Sequence, residues 1–291
     1  MKVGKREFEL TNANKIYFPK SKITKGDLVK YYQKIAPWML KQIKDYPLVM
    51  VRYPDGITKE GWYHKERPSY FPKWVTYDKV RLHSGKFQDY VMADEAADLA
   101  YLGDQGVIVI HSWLSKKENL TKPNKIIIDL DPPHDVDGFK YAKAAAKKVK
   151  NIFEREKLKP YLMATGQNGL HVVCPIKPEF EYAKVKDYVH SLADQLAAKY
   201  PDDLTTEVRK NKRKGRVFLD YLRNEYGQTA VAPYSVRAKE GAPIATPLAW
   251  SELASLQSAQ KYNIKNIFSR LKKYRDPWKG FDKSARKLKI K

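Results

Sequence analysis

The sequence predicts a chain of the α/β class, α+β type: a mixed, largely antiparallel central sheet with flanking helices. Three observations carry this expectation. Apolar, β-branched runs alternate along the chain with stretches whose apolar residues recur at helical spacings. Tight turn sequences such as Pro54-Asp55-Gly56 suit antiparallel neighbours better than long crossovers. At 291 residues, 43% hydrophobic with 20 Tyr and 6 Trp, the chain can bury the core of one large domain or two closely packed ones, which excludes a disordered basic tail.

The elements follow in order. Residues 26–44 form a helix, with Leu28, Tyr31, Tyr32, Ile35 and Leu40 on one face. Residues 47–53 form a strand entering the turn at Pro54. Residues 94–103 are helical, and Gly106–His111 is a strand. Ile126–Asp131 is a strand ended by Pro132-Pro133, since proline cannot donate to a ladder. A turn follows, then a helix over 139–157 with Phe139, Ala142, Ala146, Val149 and Phe153 on its apolar face. A strand spans 169–176, a helix 183–199 and a strand 216–222. The C-terminal part is proline-rich before short helices near 251–257 and 264–273. There is no internal repeat and no low-complexity linker.

A net charge of +23 spread along the chain favours polyanionic partners and salt-dependent binding. Cys174, in the apolar run Val172-Val173-Cys174, has no second cysteine to pair with and reads as a buried thiol in a reducing compartment. No stretch reaches the roughly 18 apolar residues of a membrane span, and Met1-Lys2-Val3-Gly4-Lys5 lacks a signal-peptide core. The expectation is a cytoplasmic, nucleoid-associated protein.

The segment Ile126-Ile127-Ile128-Asp129-Leu130-Asp131 is the most informative. Side chains alternate along a strand, so Asp129 and Asp131 share one face and repel unless a cation lies between them. Hard oxygen ligands suit Mg²⁺ or Mn²⁺, the ions of phosphate chemistry. Asp220 repeats the setting in Val217-Phe218-Leu219-Asp220-Tyr221; the competing reading pairs it with Arg216 or Arg223 at a sheet edge. Three such carboxylates make a shared site for two ions the stronger reading.

Weaker signals surround these. His111 ends one apolar strand and His171 lies within another, where histidine often satisfies only a buried hydrogen bond. Thr165-Gly166-Gln167-Asn168-Gly169 would let backbone amides and a hydroxyl approach a triphosphate; a plain hairpin turn competes. Lys210–Arg216 is a basic loop before the Asp220 strand. Trp62-Tyr63 is either a stacking platform for bases or a core plug. Lys25 precedes Gly26-Asp27 at a helix start whose amides would favour a phosphate, while solvated lysines are the plainer reading of Lys15 and Lys25.

Taken in order, these pieces resemble the polymerase domain of the bacterial multifunctional DNA-repair ligases, within the archaeo-eukaryotic primase superfamily. The resemblance runs from Leu10 to about Leu253. It rests on Thr24-Lys25-Gly26-Asp27-Leu28 with Tyr31-Tyr32, Arg52-Tyr53-Pro54-Asp55-Gly56, His111-Ser112-Trp113, Asp129-Leu130-Asp131-Pro132, Gly169-Leu170-His171, Phe218–Asn224 and Thr229–Ala238. It implies one domain over 1–291 with a primase-polymerase catalytic core: about 1–105 binding DNA ends, about 106–240 catalytic, and 241–291 C-terminal helices.

The same resemblance implies a metal-binding catalytic triad of Asp129, Asp131 and Asp220, with His111 beside the incoming nucleotide. Thr165, His171, Arg223 and Arg237 would contact the triphosphate, and Trp62 and Tyr63 the template. Asn12, Lys15 and Lys25 would grip a 5′-phosphate, and Arg213 would lie in a loop positioning Asp220. It further implies template-directed nucleotidyl transfer in nonhomologous end joining, two ions with Mn²⁺ preferred over Mg²⁺, and a preference for ribonucleotides. The partners implied are gapped DNA, nucleoside triphosphates, Ku and a separate ATP-dependent DNA ligase, since no ligase or nuclease module is attached. One departure is Asn168, where the family has Lys, which removes a phosphate cation. The rival readings are a replicative or lesion-bypass primase-polymerase, a metal-dependent nuclease and a non-catalytic end-bridging protein.

Overall fold

A computed structural model of the chain describes residues 1–133 and 138–290; the turn expected after Asp131 falls partly on 134–137 and lies outside them. Two units divide the chain. Met1–Glu118, Thr229–Ala245 and Tyr262–Lys272 form the first, and Asn119–Gln228, Thr246–Lys261 and Lys273–Lys291 the second.

The first unit starts with two small antiparallel pairs, β1 (Lys2–Val3) with β2 (Arg6–Glu7) and β3 (Ile16–Phe18) with β4 (Ile23–Thr24). Helix α1 (Lys25–Ile43) follows directly. The Thr24 hydroxyl accepts from the Asp27 amide at 3.1 Å, and the Asp27 carboxylate accepts from the Thr24 amide at 2.9 Å. This reciprocal pair fixes the helix start. Leu28, Tyr31, Tyr32 and Ile35 are buried as the periodicity predicts. Then come β5 (Leu48–Arg52), β6 (Trp62–His64), β7 (Tyr77–Arg81), β8 (Phe87–Val91), α2 (Ala96–Asp104) and β9 (Val107–Trp113).

The second unit carries β10 (Lys125–Asp131), α3 (Gly138–Arg155), β11 (Tyr161–Ala164), β12 (Leu170–Pro175), α4 (Tyr182–Lys199), β13 (Leu204–Thr205) and β14 (Val217–Asp220). Strand β15 (Thr229–Val231) returns to the first unit and β16 (Thr246–Leu248) to the second; α5 (Ile267–Tyr274) follows.

The first unit's main sheet runs β15-β9-β5-β6, antiparallel throughout. The second unit's sheet runs β13-β14-β10-β12-β11-β16, and only the β13–β14 pair is parallel. Its centre is therefore β10, flanked by β14 and β12. Ala142, Ala146, Val149 and Phe153 bury the apolar stripe of α3, which packs on β10 and β12. The fold is thus mixed α/β with antiparallel-rich sheets, as the sequence predicts.

Two local expectations differ. The helix expected near 251–257 is a single 3-10 turn, Trp250–Glu252. There the Ser255 hydroxyl donates to the Glu252 carbonyl at 3.2 Å, a local bond of the kind that competes with helix continuation. Strands β1 to β4, β6 to β8, β11, β13, β15 and β16 escape the sequence reading. In the β7–β8 hairpin only Val80, Tyr90 and Val91 are buried, so its exposed face hides the alternation.

Candidate active site

The register of three strands builds the site. Asp129 of β10 stands opposite Asp220 of β14 on one side and opposite His171 of β12 on the other. Directly opposed residues share a face, so Asp220, Asp129 and His171 form a row across the sheet. Asp131 lies on the same face two residues further along β10, opposite Phe218. The sequence expectation that the three aspartates converge is met geometrically.

Charge is balanced by two arginines. Arg223 Nε lies 3.3 Å from Asp220 Oδ2 and 3.8 Å from Asp129 Oδ2, so the guanidinium sits beside both carboxylates. The competing sequence reading, Asp220 paired with Arg223, is therefore also present. Arg213 Nη1 lies 3.8 Å from Asp131 Oδ2. Burial, then the charges of Asp129 and Asp220, push the Asp131 carboxyl up to about 6, against the pull of both arginines. Burial also raises Asp220, with Arg223 opposing. His171 Nε2 is 3.3 Å from Asp129 Oδ2, while its Nδ1 is buried with no hydrogen-bond partner among the described residues.

Among the described residues, no three His, Cys, Asp or Glu groups stand ready to ligate one ion together. The donor set nonetheless suits a hard divalent cation: three carboxylates on one face, two with raised pKa, held near a guanidinium.

Thr165 lies in the β11–β12 turn and Arg213 in the loop before β14. The Thr165 hydroxyl donates to the Gly169 carbonyl at 3.0 Å and accepts from the Gln167 and Gly169 amides at 3.3 Å. It closes the β11–β12 hairpin turn. Arg213 donates to the carbonyls of Glu207 and Val208 and lies 4.0 Å over the Phe218 ring. It faces Asp131 and Phe218, and it reaches β14 through the latter.

The first unit holds the remaining candidates. His111 is paired in β9 with Val49 and Val231, its Nδ1 3.4 Å from Thr229 Oγ1. Trp62 and Tyr63 lie on the edge strand β6 and are 48% and 63% exposed, which excludes the core-plug reading. As strand neighbours they project to opposite faces, so they do not form one platform. The Tyr63 ring meets His111 edge-on at 5.7 Å, and Arg52 lies 5.9 Å over Trp62. The Arg237 amide donates to the Pro243 carbonyl at 2.8 Å.

The helix-start phosphate site is altered most. The Lys25, Gly26 and Asp27 amides donate to the Lys15 carbonyl, the Ala13 carbonyl and the Thr24 hydroxyl, so no amide at the start of α1 is left for an anion. Lys25 is buried, its ammonium 2.7 Å from Asp104 Oδ1 and donating to Thr11 Oγ1 at 2.7 Å. Lys15 is exposed and paired with Asp55, and Asn12 takes a left-handed φ of 48° in the turn before it. Sequence reasoning missed Asp104 because it lies at the far end of another helix.

Residues 24–278 match the family model described as LigD, primase-polymerase domain. The chain belongs to that family. LigD primase-polymerase domains are nucleotidyltransferases. The bifunctional non-homologous end joining protein LigD of Bacillus subtilis is 28% identical over 276 residues, covering 94% of this chain and 44% of the relative. The multifunctional LigD of Pseudomonas aeruginosa is 28% identical, covering 94% of this chain and 32% of the relative. This chain therefore spans less than half the length of these LigD proteins. The polymerase domain of Mycobacterium tuberculosis ligase D, solved in complex with DNA, has the same fold: TM-score 0.88 at 24% identity, covering 96% of this chain and 99% of that one.

Among the described residues no helix is long and apolar enough to cross a membrane. Cys174 is buried, and burial pushes its thiol well above the usual range, which suits the inert role expected.

Proposed function

We propose that this chain is a template-directed nucleotidyltransferase that fills gaps and extends ends in nonhomologous end joining of DNA breaks. The observation that carries this is the row Asp220–Asp129–His171, with Asp131 on the same face, in a chain of the primase-polymerase family. Asp129, Asp131 and Asp220 would hold two divalent ions, Mn²⁺ in preference to Mg²⁺. When bound, such ions would supply neutralisation of phosphate charge and activation of a hydroxyl. The strand backbone fixes the carboxylates before substrate arrives, so little reorganisation is needed. His171 and Arg223 present donors and positive charge to a triphosphate. Thr165 acts through the turn it closes. His111 and Arg237 keep the nucleotide roles that the resemblance implies, and Arg213 holds the loop before β14.

The exposed rings of Trp62 and Tyr63 serve the template, each from its own face of β6. Asn12 and Lys15 take the 5′-phosphate, and Lys25 shapes the loop that carries them. Residues 1–105 then serve DNA ends, about 106–240 the chemistry, and 241–291 support it. Ribonucleotides are preferred, with Ku and an ATP-dependent DNA ligase activity as partners, in the cytoplasm at the nucleoid. The second reading, a primase-polymerase of replication or lesion bypass, is favoured by one observation: Lys25 is already neutralised by Asp104.

Primer extension on gapped DNA tests both, with and without a 5′-phosphate, with Mn²⁺ or Mg²⁺ and with ribo- or deoxynucleotides. Extension stimulated by the 5′-phosphate is expected, with Asp129→Asn, Asp131→Asn and Asp220→Asn each losing more than about 100-fold while still binding DNA. Shortening of labelled DNA indicates a nuclease. Indifference to the 5′-phosphate with synthesis on bare template indicates a primase. Undiminished end joining by all three variants indicates a bridging protein.

A further inference from the structure

Strand β14 ends at Asp220, and the chain turns away through the 3-10 turn Leu222–Asn224. Strand β10 begins earlier, at Lys125, and pairs with β14 only over Asp129–Asp131. In an antiparallel ladder the hydrogen-bonding groups on one edge recur every second residue, so the next to need a partner on that edge belong to Ile127. No strand residue meets them.

Asn224 does. Its Oδ1 accepts from the Ile127 amide at 2.9 Å, and its Nδ2 donates to the Ile127 carbonyl at 2.7 Å. A carboxamide carries the donor and acceptor of a peptide group, so it stands in for the missing strand residue. Nδ2 also donates to the Tyr221 carbonyl at 2.7 Å, which accepts the Asn224 amide at 3.1 Å as well. The residue is fully buried. Between Tyr221 and Asn224 lie the groups that face the site. The Leu222 amide donates to Asp220 Oδ1 at 2.8 Å, and Arg223 reaches Asp220 and Asp129. One side chain therefore ties the turn after Asp220 to β10 two residues before Asp129.

We infer that Asn224 is a positioning residue for nucleotidyl transfer, clamping the Asp220–Arg223 turn to β10 and so setting Asp220 and Arg223 relative to Asp129. The clamp rests on the proposed reading of the aspartates as the ion-holding set. Aspartate in its place keeps an acceptor and loses both donors; alanine loses all three side-chain bonds.

The test compares wild type, Asn224→Asp, Asn224→Ala and the control Ile152→Ala, which truncates a buried side chain of α3. Four quantities are read: Mn²⁺ binding to the protein without substrate, kcat and KM in primer extension, gapped-DNA binding, and Tm. The Asn224 variants are expected to lose about tenfold or more in Mn²⁺ affinity and about 100-fold in kcat, with DNA binding unchanged. Ile152→Ala is expected to lower Tm and leave Mn²⁺ affinity and kcat near wild type. Folded Asn224 variants with wild-type Mn²⁺ affinity and kcat would overturn the clamp. Wild type that binds no Mn²⁺ would instead sink the ion-holding reading, and the clamp's role with it.

If neither Asn224 variant folds, hydrogen exchange on wild type decides. Added Mn²⁺ is expected to slow exchange in 125–131 and 217–224 together. Slowing in one segment alone would overturn the coupling.

Discussion

A lysine can serve an incoming phosphate only if its charge is not already committed, and Lys15 and Lys25 differ in that respect. Lys25 is buried against Asp104, so Lys25→Ala leaves a buried carboxylate uncompensated, a loss of about 3–5 kcal/mol. It is expected to be a folding variant, read by urea denaturation. Lys15→Ala removes an exposed pair and should leave Tm essentially unchanged. Its expected effect is a smaller stimulation of gap filling by a 5′-phosphate, measured against a 5′-hydroxyl gap; equal rates on both gaps in wild type would remove the role. The buried Asp98 offers a pH test. Burial, with smaller contributions from the charges of Glu95 and Asp94, pushes its carboxyl up to about 6 despite amide bonds from the same two residues. Between its ordinary value and about 6 the folded chain holds the extra proton, so stability falls as pH rises through that window. Asp98→Asn should flatten the profile by at most roughly 3 kcal/mol between about pH 4 and pH 7. An unchanged slope would show that Asp98 does not titrate there. The aspartates were legible because a carboxylate inside an apolar strand is a local contradiction. Asp104 was not, because nothing near Lys25 in the chain announces a partner.

Elements with a one-sided apolar pattern, or with an apolar run rich in β-branched residues such as Val107–Ile110, were legible; those with two polar faces, or with an apolar run lacking β-branched residues, were not. Helix α3 shows its stripe in sequence, whereas Tyr161–Ala164 is buried throughout and reads as strand or helix alike. The close approach of the β11–β12 turn to β10 was equally invisible. A Cβ on Gly169 would lie 2.2 Å from the Leu130 carbonyl oxygen, a contact no backbone accepts. Gly169→Ala must therefore move the turn or β10, between Asp129 and Asp131. The expected cost is about 1–3 kcal/mol, with loss of extension larger than the stability change explains. Denaturation and extension on one preparation check this, and wild-type kcat at reduced stability would show that β10 does not move.

Across the whole molecule, charge was readable from composition while the division of the chain was not. Each unit is assembled from discontinuous segments, and β15 and β16 are three-residue strands that join different units. Composition cannot reveal a return of that kind. The ordered motifs did reveal the family, because they sample both units in a fixed sequence. With net charge +23, DNA affinity should fall steeply with salt: on the order of a thousandfold between ~50 and ~200 mM for about six phosphate contacts. Asp129→Asn should shift that line little and leave its slope unchanged. A flat salt response would point to binding dominated by stacking on Trp62 and Tyr63.

The opposition of Asp129 and Asp220 has a consequence for the energy landscape of the chain. Local charge and global register disagree there, a small point of frustration inside an otherwise consistent sheet. A one-residue slip of β14 would separate the carboxylates, yet it would drive Asp220 onto the side where Val217 and Leu219 are buried. The conflict has no structural escape, so the last strand to dock must do so against repulsion. Any cation that settles on this face, whether the guanidinium of Arg223 or a divalent ion, then acts as a chaperone of the native register as well as a participant in chemistry.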